Sequence, residues 1–279
     1  MTNSNHEYDT TADNWSIYTG AASLYQASRP TYPTGAVEWI VSAIPDHTAP
    51  LVAVDVGCGT GIFTRRLASH LKRTDRVIGV EPNDDMRRQA QQASGAMETI
   101  EFASGSSSEI PIPDGRAALV SAASAAHWFD LPTFYNEVCR VLMPSGIIAI
   151  VQNKRRFWDS SFLAEYERFH ERYVTGYRRG TFPNPHGGFS PELFQQDLAD
   201  HPQFKDVRTE RWSWSRRMKT DEFKSFSLST SHTRRALTSN NAIDVMRDLD
   251  ELIMCHADST GTLEIPYVTD VVIARYAGH

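Results

Sequence analysis

The residues of this chain best suited to chemistry are a run of seven, Asp55-Val56-Gly57-Cys58-Gly59-Thr60-Gly61, and a lone acid twenty residues beyond it, Glu81. The run follows a short apolar segment, Leu51 to Val54, and precedes a helical pattern, while Glu81 closes a second apolar run, Val77 to Val80. Strand, glycine turn, helix, strand and acid, in that order, make the unit that holds an adenosine-containing ligand at the edge of a parallel sheet. Glycine lets the backbone turn tightly and come close to a ligand. Glu81, at the end of the second strand, is placed to accept hydrogen bonds from two ribose hydroxyls.

The spacing also separates one class of ligand from another. A dinucleotide fingerprint, G-x-G-x-x-G, needs its third glycine to bring helix onto strand. Here Gly57-x-Gly59-x-Gly61 is followed by Ile62, so that pattern is not met. Asp55 at the strand end suits a positive ligand better than a pyrophosphate. It either contacts an ammonium group or caps the following helix. S-Adenosyl-L-methionine carries a sulfonium and an ammonium and no phosphate. Cys58 contributes its backbone to the turn rather than its thiol.

The elements that must position these residues alternate. Pro33 opens a helix with the stripe Val37, Ile40, Val41 and Ile44. Strands are expected at Val52–Val56, Val77–Val80, Ile100–Ala103, Ala117–Ala122 and Ile147–Val151, the last fully apolar as in the middle of a parallel sheet. Between them come a helix carrying Phe63, Leu67 and Leu71, a short one through Met86 and Ala90 capped by Asn83 or Asp84, and Leu131–Leu142. Pro144-Ser145-Gly146 reads as a turn. This is a doubly wound α/β pattern. After Asn153 the character changes: Phe162–Gly176 is helical, Gly180–Gly188 a loop, Val207–Met218 an alternating strand, Asp221–Leu228 and Ala242–His256 helices, and Leu263–Tyr276 β-rich.

The string D-V-G-C-G-T-G followed by G-V-E-P resembles the first two motifs of class I S-adenosylmethionine-dependent methyltransferases. Tyr25-x-x-x-Arg29-Pro30-x-Tyr32-Pro33, Ala125-Ala126-His127-Trp128-Phe129-Asp130 and Leu263-Glu264-Ile265-Pro266-Tyr267 are similar to segments of the small-molecule group related to trans-aconitate methyltransferase. The resemblance covers roughly residues 15 to 276 and implies a Rossmann-like, mostly parallel seven-stranded sheet with helices on both faces and a helical cap. It implies a flexible tail over 1–14 and one domain over 15–276: a helical lead-in (15–50), a cofactor core (51–152), cap helices in 153–203 and 220–260, and late strands completing the sheet. The chain departs from the family pattern in two places. The loop after the third strand often carries an acid toward the adenine amino group, but here it reads Gly105-Ser106-Ser107-Ser108-Glu109, which leaves that task to the Ser106 hydroxyl or the backbone. The usual aspartate before the fourth strand is replaced in Arg116-Ala117-Ala118.

The cofactor set implied is Tyr25, Arg29, Asp55, Gly57, Cys58, Gly59, Gly61, Glu81, Pro82, Met86, Ser106, Ser107 and Ser124. His127 and Trp128 fall just beyond the fourth strand, where ligands of open α/β sheets bind. His127 is the candidate general base, with fixing of the loop by hydrogen bonding as its structural alternative. Trp128 could offer an indole face to a cation or simply pack. Tyr32, Tyr173, Tyr177 and Trp212 are pocket candidates for a small methyl acceptor, a carboxylate or natural-product intermediate. Packing or solvated-face roles compete for each. His186 lies in a possible lid. Two other readings stand beside methyl transfer: consumption of the aminocarboxypropyl part of the same cofactor, and binding without turnover.

Composition sets the outer limits. The chain has 279 residues, 41% hydrophobic and 22% charged, with net charge −6 and no basic block, which argues against a nucleic-acid partner. No apolar run of membrane-spanning length occurs, and the polar N-terminus lacks the apolar core of a signal peptide. Cys58, Cys139 and Cys255 fit neither a disulfide framework nor a zinc pattern. The expectation is a cytoplasmic monomer or homodimer holding no metal.

Overall fold

The computed structural model describes residues 22, 26, 29–46, 50–179 and 191–278. Tyr25, His186, the 1–14 tail and the Gly180–Gly188 loop lie outside the described residues. Seven strands, β1 (Val52–Val56), β2 (Arg76–Val80), β3 (Ile100–Ala103), β4 (Ala117–Ala123), β5 (Leu142–Arg155), β6 (Phe204–Lys219) and β7 (Thr262–Tyr276), make one sheet in the order β3-β2-β1-β4-β5-β7-β6. β1 to β5 run parallel, and β7 runs antiparallel to both β5 and β6. The chain winds outward from β1 to β3, then crosses to β4 on β1's other side. That reversal opens a crevice beyond the carboxyl ends of β1 and β4, where ligands of such sheets sit.

The described helices are α1 (Thr34–Ala43), α2 (Ile62–Ala68), α3 (Asp84–Ser94), α4 (Leu131–Val141), α5 (Ser161–Tyr173), α6 (Pro191–Asp200), α7 (Thr220–Ser229), α8 (Ser231–Ser239) and α9 (Ala242–His256). Strand side chains alternate between faces, and the two sheet cores divide by that parity. Ala53, Leu119, Ile147, Ala149 and Val151 pack with Val37 and Ile40 of α1 and Phe63 and Leu67 of α2. Val54, Val120, Ile148 and Ile150 pack on the opposite face with Phe134 and Val138 of α4 and Phe194 and Leu198 of α6. Each such buried aliphatic side chain contributes about 1.5–3 kcal/mol. A third core joins Phe162 and Tyr166 of α5, Phe223 of α7, Ala236 of α8, and Val245 and Leu249 of α9 to Leu263, Ile265 and Tyr267 of β7. This is the helical cap.

Local chemistry explains the element ends. Asn83 caps α3 by accepting from the N–H groups of Asp85 and Met86, both at 3.0 Å, and Asp84 and Asp85 put negative charge at the positive helix terminus. Ser160, Thr230 and Asn241 cap α5, α8 and α9 in the same way. Several boundaries differ from the sequence expectation. α1 buries Ala36, Val37, Ile40 and Ala43 rather than Val41. β5 continues past Val151 because β7 supplies partners, Asn153 opposite Thr269 and Arg155 opposite Tyr267. Pro144–Gly146 lies within β5 as an irregularity with Ser145 at φ 65°, rather than as a separate turn. β6 is longer than Val207–Met218, and its register shift falls at Asp206, φ 54°. Helices α6 and α8 fall in the segments 153–203 and 220–260 expected to hold helices, although the hydrophobic period did not mark them individually.

Candidate functional site

The glycine turn is pinned between β1 and β2. The N–H groups of Gly57 and Cys58 both donate to the Val80 carbonyl, at 2.8 and 3.1 Å, and Gly61 N–H donates to the Cys58 carbonyl at 2.9 Å. All three glycines have positive φ, 68°, 55° and 75°. Their surroundings differ in a telling way. A Cβ on Gly57 would meet Ala125 Cβ at 2.7 Å, and one on Gly61 would meet Phe102 Cζ at 3.0 Å. A Cβ on Gly59 would meet nothing within 4 Å. Packing therefore requires Gly57 and Gly61 to lack a side chain, whereas Gly59 faces open space at the crevice.

Glu81 stands across this space. One carboxylate oxygen accepts from Gly59 N–H at 2.9 Å and the other from Asn83 N–H at 2.9 Å, while Arg87 donates to the Glu81 carbonyl at 2.9 Å. Each carboxylate oxygen keeps a further lone pair for a hydroxyl. Burial raises the pKa of Glu81, and the two backbone donors oppose the rise. An acid with remaining acceptor capacity beside an uncovered glycine is what an adenosine ribose requires. Pro82 follows at once, and Met86, 2% exposed, lies in the first turn of α3.

Asp55 has a different environment. Its carboxylate is 1% exposed and accepts from the Thr64 hydroxyl of α2 at 2.6 Å and the Ser121 hydroxyl of β4 at 3.0 Å. It ties β1 to its neighbours on both sides, so direct contact with an ammonium would require that network to open. Burial pushes its pKa up to about 7 against those two hydrogen bonds. The Cys58 sulfur lies 2.9 Å from where a Gly79 Cβ would be, and burial followed by the Asp55 charge raises its thiol pKa. Such a thiol is a packing group. Ser106 forms its own turn: its hydroxyl accepts from Ser108 N–H at 3.3 Å, and its N–H donates to the Glu109 carbonyl at 3.1 Å. Ser107 sits at the tip of that turn, partly exposed.

At the end of β4, Ser124 takes a positive φ of 53°, donates its N–H to the Val151 carbonyl at 2.8 Å, and receives the Tyr32 hydroxyl at 3.2 Å. Tyr32, 6% exposed, also meets Phe63 edge-on at 4.9 Å. It thus bridges the lead-in segment to the crevice. His127 and Trp128 form a short 3-10 turn, with their rings 5.1 Å apart and Trp128 40% exposed. Burial, and then the positive charge of nearby Arg29, depress the His127 pKa to about 3. An imidazole so depressed is neutral. It keeps the hydrogen-bonding role of a neutral ring.

The other pocket candidates separate. The Tyr173 hydroxyl is taken by Asp248 of α9 at 2.5 Å, so it ties two cap helices together. The Trp212 indole nitrogen lies 3.0 Å from where a Gly35 Cβ would be, and its ring meets Trp39 at 5.7 Å. From β6 it packs against α1 as a sheet–helix contact. Tyr177 turns into the cap, donating to Glu167, with its ring 5.4 Å from His170 and 4.8 Å from His232. Two participants, Thr64 and Ser121, were not singled out from sequence, and Asn83 was read there only as a helix cap. Among the described residues no group of three or more His, Cys, Asp or Glu could hold a metal ion, and no helix is long and apolar enough to cross a membrane.

Comparison with known proteins places this geometry. Residues 54–150 match the family model described as a methyltransferase domain. A provisionally named methyltransferase of Dictyostelium discoideum is 35% identical over 128 residues, which is 45% of this chain and 44% of that protein. An uncharacterized methyltransferase of Mycobacterium tuberculosis is 34% identical over 135 residues, 48% of this chain and 51% of that one. The chain thus spans about half the length of these curated relatives. Among solved structures, a provisionally named type II methyltransferase from Anaeromyxobacter dehalogenans superposes with TM-score 0.67 at 22% identity, over 90% of this chain and 99% of that one. That likeness extends the shared fold well beyond the matched core. The glycine cradle and the acid opposite it thus lie in the segment that matches a methyltransferase domain, and with the 3-2-1-4-5-7-6 sheet they support a class I S-adenosylmethionine-dependent methyltransferase.

Proposed function

We propose that this protein transfers a methyl group from S-adenosylmethionine to a small organic acceptor, a carboxylate or natural-product intermediate. The observation that carries the reading is the pairing of Gly59, whose missing side chain leaves open space, with Glu81, whose carboxylate is held 2.9 Å from the Gly59 nitrogen. The crevice presents an acid, Glu81, rather than a phosphate-type glycine pattern, which suits a cationic nucleoside. When bound, the cofactor supplies an electrophilic methyl group for in-line displacement, so the protein's work is alignment and exclusion of water. Glu81 fixes the ribose, and the backbone at Gly57–Gly61 gives the ligand room. Ser124 and Tyr32 hold the loop that bears His127 and Trp128. The cap over the β4 and β5 ends shields the acceptor from solvent. Net charge −6 and the enclosed, aromatic cap favour a small molecule over a nucleic acid or a membrane surface as partner. A cytoplasmic setting, as a monomer or homodimer, accompanies the proposal.

Two measurements test it. Calorimetry should show micromolar binding of S-adenosylhomocysteine and none of NAD. Incubation of labelled cofactor with extracts of the source organism should release S-adenosylhomocysteine. Methylthioadenosine would shift the reading to aminocarboxypropyl transfer, and tight binding with no product would make the protein a non-catalytic binder.

A further inference from the structure

Arg155 is the final residue of β5 and points into the cap. Its guanidinium carbon lies 5.4 Å from the ring centroids of both Tyr166 and Phe226. The nearest carboxylate is Glu167, whose Oε1 is 3.9 Å from Nη2 and whose other oxygen already accepts from Tyr177. Nη1 is fully enclosed and has no hydrogen-bond partner. A quarter of the side-chain surface remains accessible, and the rest is set among the aromatic residues of the cap. Arg29 approaches the same Phe226 ring, at 6.0 Å. Arg29 also sits close enough to His127 to depress its pKa, which places this cationic cluster near the end of β4.

This is an unusual state for a buried cation. Aromatic faces attract a guanidinium but accept none of its five N–H groups in the manner of an oxygen. Enclosed charges are ordinarily paired and hydrogen-bonded, and an orphaned donor costs free energy. A planar carboxylate matches one guanidinium in charge and geometry and takes two parallel hydrogen bonds. We propose that Arg155 anchors a carboxylate of the methyl acceptor and so sets acceptor specificity. The assignment rests on the methyltransferase reading above.

The test uses full-length protein saturated with S-adenosylhomocysteine, titrated calorimetrically with acetate, succinate, hexanoate and phenylacetate, each beside its uncharged amide. At least one acid should bind, and its amide should bind about tenfold more weakly or worse. Arg155→Gln should weaken that acid about 30-fold, and Arg155→Lys less, with S-adenosylhomocysteine affinity unchanged in both. If Arg155→Gln does not fold, the acid–amide comparison on wild type and the Arg155→Lys titration decide. Equal binding of acids and amides, no binding of any acid, or undiminished acid binding by Arg155→Gln would overturn the proposal. So would a loss of S-adenosylhomocysteine affinity on substitution, since Arg155 would then serve the cofactor. Absence of S-adenosylhomocysteine binding by wild type would sink the methyltransferase reading itself, and this assignment with it.

Discussion

Alanine at Gly57 and at Gly59 should fail in different ways, although the two positions are two residues apart with nearly the same φ, 68° and 55°. An L side chain in the left-handed region costs about 1–2 kcal/mol at either site. At Gly59 that is the whole folding cost, because the new methyl meets nothing within 4 Å. At Gly57 it would approach Ala125 Cβ at 2.7 Å and the Phe129 ring at 3.0 Å, and Phe129 is itself packed edge-on against fully buried Phe134. Overpacking of this kind adds about 1–3 kcal/mol, for a total of about 2–5 kcal/mol. Gly59→Ala should therefore fold with modest loss yet place its methyl where the ligand belongs. A clash of about 1–3 kcal/mol there corresponds to roughly a tenfold to hundredfold loss of affinity. Urea denaturation followed by circular dichroism gives the first quantity and calorimetry with S-adenosylhomocysteine the second. Wild-type affinity in Gly59→Ala, or equal stability of the two variants, would refute the placement of the cradle.

Other substitutions probe the electrostatics. Glu81→Gln should weaken S-adenosylhomocysteine about tenfold to a hundredfold, since hydroxyl bonds to a charged acceptor contribute about 1.5–3 kcal/mol; calorimetry reads this directly. His170, 1% exposed, is held down to about 3 by burial, with the Arg155 and His232 charges adding to the effect. Its stabilising contribution is complete above pH 6.5 and is lost at about 1.4 kcal/mol per pH unit as pH falls from there toward 3, because only the unfolded chain takes up the proton. Urea titrations of wild type and His170→Asn between pH 7 and 5 should differ by that slope. Asp55 acts with the opposite sign. Its pKa is raised to about 7, so its contribution is full below the ordinary carboxyl range and is lost as pH climbs toward 7. The stability of Asp55→Asn should lack that decline between pH 4 and 7 in the same titrations.

The cofactor half was readable because its signals are local. Three glycines after an apolar run, an acid at the end of the next run and a capping Asn83 all lie within 29 consecutive residues, 55–83, and each acts through backbone geometry or an adjacent turn. The parallel strands were readable for the same reason, since burial on both faces leaves runs such as Ile147–Val151 without a polar residue. The second half was harder. β6 shows little apolar bias because much of it is exposed, and its length is dictated by β7, some fifty residues away in the chain, through pairs such as Trp214 with Tyr267.

Side-chain roles divided along the same line. Residue type and position placed His127 beyond β4, but the burial and the Arg29 charge that lower its pKa are set by packing from a distant segment. Asp55 was visible as an acid at a strand end, while its bonds to Thr64 and Ser121 arise only when α2 and β4 close around it. Trp212 and Trp214 share a strand face, yet α1 covers one and the cap packs on the other. By itself, then, the sequence determined where the cofactor unit lies and the direction of its strands, because those follow from short-range geometry and hydrophobic period. The assembled fold alone decided which charges are buried, which hydroxyls are already engaged and that Arg155 Nη1 is enclosed without a hydrogen-bond partner, because burial and pairing are properties of the space between elements and not of the order along the chain.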